Sequence, residues 1–214
     1  MIIAFHLSTP RTSSMESENS FDIARQEHEE FLQALGELTL AWSDLETVLV
    51  KVLANYAGVT AAVSRAIFSG TRARQAMKFV MAIADNTVSE QHRRDDIEEI
   101  FNHIATLNTS RDFVIHNVDG SMQTFRQQFP TSRLISNAER SSRAAKAKTI
   151  FIGSSDLLAM AADCIECCWR LHAHLVPISS PFQPAPGTGG VRSPWQYSPP
   201  QPAGQNVPIN MLLR

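Results

Sequence analysis

Phe31, Leu35, Leu38, Trp42, Leu45, Leu49, Val52 and Tyr56 follow one another at alternating steps of four and three residues. That spacing keeps them all on one face of an α-helix for about seven turns. A strand, whose side chains change face at every residue, cannot present them together. A helix with so long an apolar stripe must bury it, and the partners open to it are other helices. Gly58 follows as a natural stop. Composition agrees. Ala, Leu, Glu, Gln and Arg, all good helix formers, are abundant. Aromatic residues make up 7% and there are nine Gly, too few for the tight turns and aromatic strands of a sandwich or barrel. At 214 residues, 43% of them hydrophobic, the chain suits one domain with an extension. Its core needs no disulfide or metal staple.

Three further helical segments are expected. The second covers about 60–86, with Val63, Ile67, Met77, Val80, Met81 and Ala84 on its apolar face and a kink or break at Ser69–Gly70. The third covers about 89–118 and carries Ile97, Ile100, Phe101, Ile104, Leu107, Val114 and Ile115, with Asp119–Gly120 closing it. The fourth starts at Ser154 or Ser155 as N-cap, with Asp156 in its first turn. It runs through Leu158, Ala161, Ile165, Trp169 and His172 to about Leu175. Between the third and fourth, residues 121–152 read as a long irregular excursion or β-hairpin, with β-friendly pieces at Thr124–Phe125, Leu134–Ile135 and Thr149–Ile152. The expected fold class is therefore all-α: an up-and-down bundle of four main helices with a long irregular or β-hairpin insert before the last. Residues 1–20 are expected to be a flexible terminus and 21–176 the bundle. Nine of the eleven Pro fall from Pro177 onward, so 177–214 is expected to be a disordered Pro-rich tail. It offers no clean P-x-x-P pattern with flanking basic residues.

The net charge is only −2, but the charge is segregated. Nine of the 21 acids lie between Glu16 and Glu46, against Arg25 alone. From Thr47 to Ala84 there is no acid, and Lys51, Arg65, Arg72, Arg74 and Lys78 are the charges present. The 121–152 segment sets Arg126, Arg133, Arg140, Arg143, Lys146 and Lys148 against Glu139. One face can thus be basic and suit nucleic acid, or be an ordinary solvated surface. The three cysteines, all within Cys164–Cys168, exclude a disulfide framework and suit a reducing compartment. The start of the chain is apolar but short and lacks a basic region. No segment reaches the roughly 20 apolar residues of a membrane span. The expected setting is cytoplasmic, with no membrane partner.

Within the third segment, Arg111-Asp112-Phe113-Val114-Ile115-His116 has the pattern R-x-x-x-x-H, the only such spacing in the chain. Fifteen Arg and seven His in this length give roughly half a chance match, so context carries the weight. Together with the Trp42-Ser43-Asp44-Leu45-Glu46 segment on a long first helix, the motif resembles the signature of the HEPN superfamily. These are small helical bundles common among prokaryotic RNases, toxins and antiviral effectors. The resemblance covers about Phe21–Leu175. It departs in having Asp after the Arg, where Asn is commoner. It implies a metal-independent endoribonuclease with no cofactor and no metal. RNA would be cut by its own 2′-hydroxyl, in a homodimer that joins two motifs at the face carrying Arg111 and His116. Single-stranded RNA and an antitoxin or other protein would be the partners.

The residue types suit that chemistry on their own. An imidazole exchanges protons near neutrality, and a guanidinium fork matches a phosphorane-like transition state. Asp112 and His116 are an i,i+4 pair, so the carboxylate is placed to orient the ring. Arg111 lies about 140° from His116 on the helical wheel, so the two need convergence from elsewhere. The expected catalytic set is Arg111, Asp112 and His116, with Asn108 and Asn117 as minor hydrogen-bonding candidates. The expected RNA contacts are Arg72, Arg74, Lys78, Arg126, Arg133, Arg140 and Arg143. The alternative is a catalytically silent helical module that binds a protein. In that case Arg111 is a surface partner of Asp112, and His116 a last-turn residue favoured by the helix dipole. Cys164, Cys167, Cys168 and His172 share a helix face and read as core more readily than as a zinc site. His103 reads as a packing residue. Phosphate-loop, zincin and α/β-hydrolase motifs are absent.

Overall fold

The apolar stripe of the first helix becomes the spine around which the chain is wound. The computed structural model describes residues 13–117, 132–136, 149–184 and 195–197. Its elements are α1 (Ser13–Tyr56), α2 (Ala61–Phe68), α3 (Ala73–Thr87), α4 (Gln91–Asn117), β1 (Ser132–Ser136), β2 (Thr149–Gly153) and α5 (Ser154–Ala173). The fold is an all-α up-and-down bundle of four main helices, α1, α3, α4 and α5. α1 packs along α5 and α3, and α4 packs against both of those. α1 starts at Ser13, within the stretch expected to be flexible.

Every residue of the α1 stripe is buried except Leu35, which is partly so. Gly58 ends α1 with φ +64° and Gly70 breaks the second segment with φ +81°. Both angles lie in the left-handed region that only glycine adopts freely. The second segment is therefore two helices. The short α2 is the return stroke between α1 and α3, and its Val63 and Ile67 stay exposed, not in the core as expected. In the third segment, now α4, Ile97, Ile100, Phe101, Ile104, Leu107 and Val114 are buried as the spacing predicts. No single helix among the described residues is long and apolar enough to cross a membrane.

α5 corrects the expected phase. Leu157, Met160, Ala161, Cys164, Cys167 and Leu171 face the core, while Leu158, Ile165 and Trp169 are exposed. The small Ala161, Cys164 and Cys167 alternate with Leu157, Met160 and Leu171 on the inward face, and Leu158, Ile165 and Trp169 occupy the outer one. Its N-cap is Gly153, not Ser154 or Ser155, and the Gly153 N–H donates to Asp156 Oδ2 at 2.9 Å. Immediately before it, β2 pairs antiparallel with β1 in the register Leu134 to Phe151 and Ile135 to Ile150. This is the β-ribbon expected in the insert. The Thr124–Phe125 piece lies outside the described residues.

The start of the expected disordered tail is instead packed on the bundle. Arg93, fully buried in the first turn of α4, donates to the carbonyls of Val176 at 2.9 Å and Pro177 at 3.2 Å. Its guanidinium lies over the rings of Tyr56 and Phe182. Beside it, His174 bridges Tyr56 Oη and Asp96 Oδ2, at 2.9 and 2.8 Å. Arg170 donates to Asp96 and Glu99. The ends of α1 and α5 thus meet the beginning of α4, so α4 runs against both. A second station lies near the start of α5. There the Trp195 N–H donates to Asp163 Oδ2 and Trp195 Nε1 donates to Asp156, while the Phe151 N–H donates to Tyr197 Oη. These aromatic residues offset the ordering cost that Pro and Gly alone do not.

Two predictions follow from this knot. Arg93→Ala removes the hydrogen bonds to Val176 and Pro177 and the contacts with the Tyr56 and Phe182 rings, and should lower unfolding free energy by about 2–4 kcal/mol, measured by urea denaturation. Proteolysis near residue 180 should accelerate in parallel. The knot also sets a pH dependence. Burial pushes the pKa of His174 below 6.5, outweighing the pull of Asp96. Burial opposes ionisation of Asp96, but hydrogen bonds from His174 and Arg170 hold it below 3.8. A group that titrates lower in the fold than in the unfolded chain contributes stability above its unfolded pKa, and that stability is lost as pH falls. The urea midpoint should therefore begin to fall as pH drops through 6.5, with a further loss below 3.8. His174→Gln should remove the upper step.

Candidate functional site

α4 continues without interruption through Arg111 to Asn117, so the Arg–His motif lies on one helical frame. Arg111 Nη1 donates to Asp112 Oδ1 at 2.8 Å, and Asn108 Nδ2 donates to Asp112 Oδ2 at 3.2 Å. Both carboxylate oxygens are thereby engaged by neighbours other than His116, and the charge of Asp112 is offset by its own neighbour in sequence. The guanidinium of Arg111 lies over the buried Trp42 ring, 5.2 Å from its centre. Its Nε is buried without a hydrogen-bond partner among the described residues. Indole below and carboxylate beside hold the group in one orientation.

The break at Gly70 turns the chain so that α3 starts opposite this point. Arg72 is its N-cap residue, and its side chain makes no capping bond. The first turn carries no acid, so the positive end of the helix dipole is not neutralised there. Arg72, Ala73 and Arg74 from α3, Asn108, Arg111 and Asp112 from α4, and Glu46 from α1 line a single pocket of about 260 Å³. Three guanidinium groups face two carboxylates, one of which is paired with Arg111. Arg72 and Arg74 make no ion pair among the described residues. The pocket is suited to hold an anion with planar, bidentate oxygens.

Of the expected site residues, Arg72, Arg74, Arg111 and Asp112 are brought together. Lys78 is exposed one turn beyond Arg74 on the same face of α3. His116 is exposed in the last turn of α4 and does not line the pocket. Arg133 lies in β1. Arg126, Arg140 and Arg143 lie outside the described residues. Glu46 was not expected in the site, nor Trp42 beneath it. The signal was present, since the two are four apart on α1 and so share a face.

The cysteines belong to the core. Burial pushes the Cys164 thiol up to about 12 and Cys168 to about 11, and raises Cys167 further. Among the described residues, no group of three or more His, Cys, Asp or Glu side chains is placed to hold a metal ion. His103 is a buried packing residue, 3.6 Å from Asp163. The contact of Arg111 with Trp42 is partly exposed, so Arg111→Ala should cost no more than about 1–2 kcal/mol. Its helical circular dichroism should match wild type, with a small shift in urea midpoint.

Compared with protein-family models, with curated proteins and with solved structures, the chain matches none.

Proposed function

We propose that the protein is a metal-independent endoribonuclease of the HEPN kind, working as a homodimer in the cytoplasm in a toxin or defence role. The observation that carries this is the meeting of Arg111 with Arg72 and Arg74 in one open pocket. Residues singled out by a motif and residues singled out by charge segregation converge there, although they are distant in sequence. Asp112 does not spoil the pocket for phosphate, because Arg111 pairs with it. Three free cysteines fit a reducing compartment.

In this reading Arg72 and Arg74 hold the RNA backbone, and Lys78 extends the track along α3. His116 takes the proton of a ribose 2′-hydroxyl. O2′ then bonds to phosphorus, the bond from phosphorus to O5′ breaks, and O5′ takes a proton from a second imidazole. The products are a 2′,3′-cyclic phosphate and a 5′-hydroxyl. Arg111 neutralises the charge that builds on the phosphoryl oxygens. Since Arg111 and His116 diverge on α4, the second copy of the chain supplies the opposing pair across a symmetric contact.

A second reading is a protein-binding module. Leu40 on α1 and Trp169 on α5, each 69% exposed, and Ile165, 51% exposed, favour it. Ile165 and Trp169 border a groove of about 290 Å³ between those helices, with Ala41, Val48 and Cys168 on its walls. Apolar groups of this size exposed to solvent beside a groove suit a protein partner.

Labelled single-stranded RNA incubated with excess chelator separates the two. Wild type should cleave it to cyclic-phosphate ends. Arg111→Ala and His116→Ala should each lose about 10²–10⁴-fold in rate while keeping fold and dimer. Cleavage only with added magnesium would refute the mechanism. A wild type that cuts no RNA but captures a protein through Trp169 is the module.

A further inference from the structure

Glu46 lines two cavities at once. One is the arginine pocket described above. The other is a groove of about 770 Å³ between α1 and α2, walled by Val50, Ala54, Val59 and Phe68 with Lys51 and Arg65 at hand. The two therefore share a wall, and the group on that wall is a carboxylate. It is half-buried and makes no hydrogen bond or ion pair among the described residues, although Arg72 and Arg74 line the same pocket. A carboxylate beside cations is held in its acceptor form, and both of its oxygens remain available to a ligand's donors.

We propose that the groove binds the base of the nucleotide next to the phosphate held by Arg72, Arg74 and Arg111, and that Glu46 selects guanine there. The inference rests on the RNA reading of the site. The groove has the size of an ordinary ligand site, with apolar patches for the face of a base set among hydroxyl, amide and charged side chains. Lys51 and Arg65 match the charge of the strand as it continues. The choice among bases follows from donor patterns. Guanine offers N1–H and N2–H side by side, and a carboxylate accepts both. Adenine and cytosine each set an amino group beside a ring nitrogen acceptor, which repels the second oxygen. Uracil offers one N–H between two carbonyls. Unpaired guanine alone satisfies both oxygens of Glu46, which makes this residue the determinant of specificity in single-stranded RNA.

The test uses the full chain and four 2′-O-methyl hexanucleotides, uncleavable by 2′-hydroxyl attack. All are oligouridine, three of them with one central G, A or C. Fluorescence anisotropy should show the G oligonucleotide bound at least about tenfold more tightly than the other three. Glu46→Gln, which keeps the shape but exchanges one acceptor oxygen for a donor amide, should bring the four affinities level. Sequencing of the ends made by wild type on mixed RNA should show G enriched at the cut, and the enrichment should vanish in the variant. If Glu46→Gln proves unfolded by circular dichroism, Glu46→Asp, which keeps the charge and shortens its reach, serves instead and should also lose the preference. Equal binding of all four by wild type, or a preference that survives both variants, overturns the inference and leaves the nuclease reading standing. Failure to bind any of them, with no cleavage of natural RNA, overturns both.

Discussion

Two guanidinium groups have been taken out of water in a largely apolar bundle, and the segments around them supply oxygens to the Nη groups of both. Arg93 and Arg170 are both buried, and a charge so placed is tolerable only when its donors find oxygens. Arg170 uses Asp96 and Glu99, one turn apart on α4, which fixes how far α5 slides along α4. Arg93 uses backbone carbonyls just past the end of α5, so the chain must leave that helix in one direction. Tyr56 closes the arrangement through His174, tying the end of α1 to the same point. Apolar faces alone permit sliding by a turn at modest cost. These directional bonds do not, and they set the level at which Arg111 faces the start of α3.

The helices were legible where the pattern had a single meaning. The α1 stripe, the stop at Gly58, the break at Gly70 and the face of α4 all follow from spacing and from glycine. α5 was misread because it has two apolar faces. Leu158, Ile165 and Trp169 are the larger residues, and a hydrophobicity scale ranks them above Cys164, Cys167 and Ala161. Leu157, Met160 and Leu171 share a face with those small residues, and that face is the buried one. The docked part of the tail was hidden by composition. Proline-rich surroundings signal disorder, yet Phe182, Trp195 and Tyr197 are the kind of side chain that secures a segment without regular structure.

The site was half legible. Arg111 and Asp112 were marked by their spacing to His116, and Arg72 and Arg74 by the absence of acids around them. That these four share a pocket was not readable, because it depends on α3 starting opposite the last turns of α4, a tertiary fact. Glu46 was visible only as part of a helical segment. Its neighbours in sequence do not reveal that two cavities touch it. Asp112 was expected to orient His116, and it also takes hydrogen bonds from the arginine beside it and from Asn108 one turn back, which the spacing did not announce.

The segment that follows α5 is also made after every surface it docks on, because synthesis runs from the N-terminus. The tail acts as a tethered peptide ligand for the recess beside His174 and for Asp163. Its local concentration is set by the short length of chain that joins it to α5, not by how much protein the cell holds. Closure of the bundle is therefore a binding equilibrium internal to each molecule. A free peptide carrying the residues around Phe182 or Trp195 would have to outcompete that high effective concentration before it displaced the resident segment.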